Sequence, residues 1–96
     1  MAHKCKDFIY RKHALERILS RNIDPDDVET TVKNGEIINV YPDDKPFKSF
    51  LVLGFIKNKP IHVVVSQDNE GNCIVITTYI PDLKIWKEDY KNKKTE

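Results

Sequence analysis

The sequence predicts an α+β fold: two N-terminal helices packed on one face of a four-stranded antiparallel sheet, followed by a short C-terminal helix. Three observations carry this. Apolar residues recur at helical spacing up to Asn34, β-rich runs take over from Glu36, and turn residues punctuate the second half at short intervals. With 96 residues the chain is read as one domain over 1–96, its end from 91 expected to fray.

The first helix spans Tyr10 to Arg21, where Ala14, Leu15, Ile18 and Leu19 form one apolar stripe. Before it, Asp7-Phe8-Ile9-Tyr10 reads either as a short strand or as a first turn capped by Asp7. The second helix has a clear start in Asp24-Pro25-Asp26-Asp27: an N-cap acceptor, a proline at the first helical position and acids at the positive dipole end. It runs through Val28 and Val32 and stops at Gly35, which can take a left-handed cap.

Four strands follow: Glu36 to Tyr41, Phe47 to Lys57, Ile61 to Ser66 and Cys73 to Ile80. Asn58-Lys59 looks like a two-residue turn between the second and third, and Asp68-Asn69-Glu70-Gly71 turns into the fourth. Asp82 after Pro81 can cap a C-terminal helix carrying Leu83, Trp86 and Tyr90. Alternation sets Ile61, Val63 and Val65 under the helices with Ile74, Ile76 and Ile80. His62, Thr77 and Tyr79 then share the opposite, open face, with His62 across from Thr77 and Phe55 beside it.

A histidine, a hydroxyl and a phenol on one face form the sharpest chemical grouping in the chain, although a histidine between Ile61 and Val63 also suits a packed, hydrogen-bonded role. A second grouping lies on the first helix. At about 100° per residue, Tyr10, His13, Arg17 and Arg21 share one arc opposite the apolar stripe. His13 and Arg17, four apart, can meet one anion together.

Composition narrows the function classes. The net charge is +1 and mean hydropathy −0.54, and no apolar run reaches the roughly 18 residues that a membrane span needs. Charge is uneven along the chain, with a basic stretch over residues 1–21 and an acidic one over 22–44. Cys5 and Cys73 form no CxxC pair and no disulfide framework, so a reducing cytoplasm is the expected compartment. The three glycines are scattered, and His13, His62 and Cys73 lack ligand spacing, so neither a cofactor nor a metal is expected.

Several motifs in order, Lys12-His13-Ala14-Leu15-Glu16-Arg17, Gly35-Glu36-Ile37-Ile38, Leu51-Val52-Leu53-Gly54, Pro60-Ile61-His62-Val63-Val64-Val65 and Ile76-Thr77-Thr78-Tyr79-Ile80-Pro81-Asp82, resemble a prokaryotic family known as domain of unknown function 4258. One departure is Asn22, where the family usually has glycine. The family is thought to be similar in fold to RelE-type toxins and related small ribonucleases, which implies a curved sheet and metal-independent RNA cleavage. By the same resemblance His62 is the acid or base and Tyr79 a stacking or proton-donating partner. His13 and Arg17 contact phosphate, joined by Arg21, Thr77 and Thr78 in substrate binding. The implied partners are RNA, and an antitoxin-like protein or a second copy. The alternative reading is a non-catalytic module of the same fold that binds a protein or itself.

Overall fold

A computed structural model describes residues 4–95. Its elements in chain order are β1 (Phe8–Tyr10), α1 (Lys12–Ser20), α2 (Pro25–Asn34), β2 (Glu36–Tyr41), β3 (Ser49–Ile56), β4 (Lys59–Gln67) and β5 (Cys73–Tyr79). The strands form one sheet in the order β1-β5-β4-β3-β2. The fold is α+β as expected, but the four-stranded antiparallel sheet and the C-terminal helix are not present. Asp7 caps no helix turn; instead Phe8–Tyr10 pairs in parallel with Cys73–Val75, making a fifth strand and a mixed sheet. The pairing is extended by Lys6 N–H donating to the Gly71 carbonyl and by a disulfide between Cys5 and Cys73, so the two cysteines expected as free thiols are bonded.

Both helix ends have local causes. Asp24 accepts from the Asp26 N–H at 2.9 Å, with Pro25 at the first helical position. At the end of α1 the Ile23 N–H reaches back to the Ile18 carbonyl at 3.0 Å, and Asn22 takes a φ of 54°. That is a Schellman closure, and its left-handed position explains why asparagine can stand where glycine is usual. Gly35 is different: its φ of −76° is open to any residue, so it is no left-handed cap. A Cβ there would lie 2.5 Å from the Thr31 carbonyl and 2.6 Å from that of Leu53, so glycine is needed for close approach. Gly54 serves the same purpose where α2 crosses β3, since a Cβ would meet Thr31 Oγ1 at 2.6 Å.

The β3–β4 turn is Lys57-Asn58, both at positive φ, as the two-residue primed turn requires. It sits one residue before the expected turn, so His62 pairs with Leu53 and Phe55 with Pro60. Between β4 and β5 a bulge near Ile76 shifts the register. His62 therefore lies opposite Tyr79, not Thr77, and Cys73 and Val75 go under the helices in place of the isoleucines. Ala14, Ile18, Val28, Val32, Val52, Val63 and Val65 complete that core. Only half the α1 stripe is used, because Leu15 and Leu19 remain 47% and 82% exposed.

The opposite face is not open. Residues 82–94 fold back across it as an irregular strap. Asp82 accepts from the Ile85 and Trp86 N–H groups, which starts one turn. A helix fails because Asp89 captures the Lys91 and Asn92 N–H groups and Tyr90 takes a φ of 58°. The strap closes on itself through a Trp86–Lys93 bridge and is pinned to β2 by a Lys91–Glu36 ion pair at 3.0 Å. No helix among the described residues is long and apolar enough to cross a membrane.

Candidate active site beneath the C-terminal strap

Alternation along β3, β4 and β5 turns Leu51, Leu53, His62 and Tyr79 to the strap side. His62 is fully buried there. Its Nδ1 is 3.1 Å from the Tyr79 hydroxyl and its Nε2 is 2.7 Å from the Tyr90 carbonyl oxygen. Trp86 meets the ring edge-on at 4.5 Å and Tyr79 at 5.2 Å, so three residues, Tyr79, Trp86 and Tyr90, hold the imidazole. Burial holds its pKa below the ordinary histidine value, the Tyr90 hydrogen bond opposing in part. Burial, with Tyr41 nearby, holds the Tyr79 phenol above its own, so the pair is neutral at neutral pH.

Tyr79 is only half buried and lines a cavity of about 420 Å³ between the strap and the β2 edge. The polar side chains around it are Asn39, Tyr41, Tyr79, Lys91, Asn92 and Lys93, over a floor that includes Leu51 and Trp86. Among the described residues no carboxylate lines it, but Glu36 is ion-paired to the lining Lys91. Lysines, phenols and amides present donors; Lys91 shares its charge with Glu36 at 3.0 Å, and Lys93 adds a second cation that suits an anionic ligand. Lys93 Nζ lies 5.6 Å from the Trp86 ring centroid, which keeps it beside the cavity floor.

The other expected site residues divide clearly. Thr77 shares the face of His62, one pair along, opposite Val64. Thr78 turns to the helix side, fully buried, and its hydroxyl donates to the His62 carbonyl at 2.8 Å, so it secures the strand. His13, Arg17 and Arg21 lie on or next to α1, across the sheet from His62. Arg17 Nε donates to His13 Nε2 at 3.4 Å, and Arg21 borders a separate groove with Lys57 and Lys59. Tyr10 leaves the arc altogether: it belongs to β1 and its hydroxyl donates to Glu29 at 2.6 Å. Lys91, Lys93, Tyr41 and Asn39 were not singled out as site residues from the sequence. The Asp89 turn was the one local signal that the lysine-rich end folds back. Among the described residues no three His, Cys, Asp or Glu side chains converge as metal ligands would.

Residues 10–80 match the family model described as Domain of unknown function (DUF4258). The chain belongs to this family. No curated protein and no solved structure matches it. Within the DUF4258 match lie His62 and Tyr79, whereas the strap that brings Lys91 and Lys93 to them lies beyond it.

Proposed function

We propose that this protein binds single-stranded RNA in the strap cavity and cleaves it without a metal ion, using the ribose 2′-hydroxyl as nucleophile. The observation that carries this is the cavity lining: a histidine-backed tyrosine and two lysines share it, Lys91 ion-paired to Glu36 and Lys93 over the Trp86 ring. Such a reaction needs a group to take the 2′-hydroxyl proton and cations for the charge that develops on phosphate. Tyr79 fills the first role, Lys91 and Lys93 the second. The resemblance of the sequence motifs to a family thought to be similar in fold to RelE-type ribonucleases supports the same reaction class.

The test is incubation of the purified chain with mixed RNA in EDTA. Fragments ending in cyclic phosphate are expected, and they are lost when Lys91 and Lys93 are both changed to Ala. No cleavage, or cleavage unchanged in that double variant, would overturn the reading.

One observation favours a second reading. Leu15 and Leu19 are exposed beside Arg17 on α1, and an apolar ridge of that kind suits a protein partner or a second copy. Leu19→Glu would then weaken association; a monomer at every concentration in sedimentation counts against the self-associating form.

A further inference from the structure

His62 makes two hydrogen bonds to partners of different kinds. The Tyr90 carbonyl oxygen, 2.7 Å from Nε2, can only accept, so Nε2 carries a proton. The ring is fully buried and no carboxylate among the described residues contacts it, so in the resting protein it holds one proton, not two. Nδ1 is then a bare lone pair, and the Tyr79 hydroxyl at 3.1 Å donates to it. The Tyr79 proton thus points inward, to His62, and the lone pairs of its oxygen are left for the cavity that Tyr79 lines.

We propose that the strap, through the Tyr90 carbonyl, sets this proton direction, making Tyr79 the base of the reaction and His62 its positioning residue. This rests on reading the cavity as an RNA site. In the step that follows, the ribose 2′-hydroxyl gives its proton to the Tyr79 oxygen while the proton of Tyr79 passes to His62 Nδ1. The ribose oxygen bonds to phosphorus, the bond from phosphorus to the 5′-oxygen breaks, and the leaving oxygen takes a proton from the Lys93 ammonium. The imidazolium returns its proton through Tyr79 and water to Lys93, which closes the cycle. Trp86 and Thr78 prevent the ring and its strand from turning out of this alignment, Trp86 against the imidazole edge and Thr78 on the His62 carbonyl.

The tautomer can be read directly by nitrogen NMR of His62 at neutral pH. A protonated Nε2 and an unprotonated Nδ1 are expected; a proton on Nδ1, or exchange between tautomers, would overturn the proposal. Two substitutions then separate the two bonds. His62→Gln keeps a donor for Tyr90 but removes the acceptor for Tyr79, whereas His62→Asn keeps an acceptor near Nδ1 and loses the strap contact. The Gln variant should show the wild-type Trp86 fluorescence of a seated strap and bind a 2′-deoxy oligonucleotide as well as wild type. Its RNA cleavage should fall by about 100-fold or more. Equal cleavage by the Gln variant would remove His62 from the reaction. If the wild type cleaves no RNA, the RNA reading fails by itself, and the NMR result still decides the orientation of Tyr79.

Discussion

The two faces of this sheet are covered in different ways. On one, α1 and α2 lay Ala14, Ile18, Val28 and Val32 over Val52, Ile61, Val63 and Val65 in an apolar layer. On the other, a strap without regular structure holds one large aromatic, Trp86, against a buried histidine. Successive residues of β4 serve both: Val63 packs under the helices while His62 backs the cavity. The helix side is stabilised mainly by burial of apolar area. The strap side depends on a few hydrogen bonds and one neutral ring, so conditions that leave the first intact can release the second.

Breaking the helix side should cost most. Removing the Cys5–Cys73 link, with residues 68 apart in sequence, by reduction or by Cys5→Ser should lower unfolding free energy by about 2–4 kcal/mol. Denaturant melts with and without reductant would show it, and coincident melts would mean the bond adds nothing. Gly54→Ala should cost about 1–3 kcal/mol by overpacking against Thr31. Thr31→Ala in the same chain should recover much of that, since Thr31 Oγ1 and Cγ2 are the atoms in the way and the buried hydroxyl has no hydrogen-bond partner among the described residues. Strictly additive effects would show that α2 does not approach β3 this closely.

On the strap side, pH is the lever. Burial lowers the His62 pKa in the folded chain, so the unfolded chain takes up its proton first. The stability contributed by neutral His62 is complete above about 6.5, the ordinary histidine value, and is lost as pH falls below it toward the folded value. Trp86, the only tryptophan, reports directly on the strap. Its fluorescence should change below that pH before the helices melt in circular dichroism; simultaneous change would join the two faces into one unit. Lys91→Ala should be the mildest, below about 0.5 kcal/mol in stability because its ion pair with Glu36 is exposed, yet it should weaken RNA binding.

Much of the helix side was legible in the sequence. Asp24-Pro25 marked the start of α2, and alternation put His62 and Tyr79 on a common face. What escaped was set by neighbours distant in sequence. Phe8–Tyr10 reads as either a short strand or a first helical turn until Cys73–Val75 lies beside it and settles it as a strand. The bulge near Ile76 inverted the facing of β5 at its start, which no alternation within that strand could reveal. On sequence Gly35 suits a left-handed cap and Gly54 a break in an apolar run, but both are places where backbone or side chain comes too close for a Cβ. The strap was read as a helix and a loose tail because Leu83, Trp86 and Tyr90 fall at helical spacing. Asp89, by capturing the next two N–H groups, overrides that spacing.

The central claim is that chemistry belongs to the strap-covered face and not to the exposed α1 arc. The most direct measurement compares RNA cleavage in EDTA by the wild type, Tyr79→Phe and His13→Ala. The account predicts that Tyr79→Phe, which keeps the ring and removes one oxygen, loses about 100-fold or more of the rate, while His13→Ala cleaves as the wild type does. Full activity in Tyr79→Phe with loss in His13→Ala would place the reaction on α1 and contradict it.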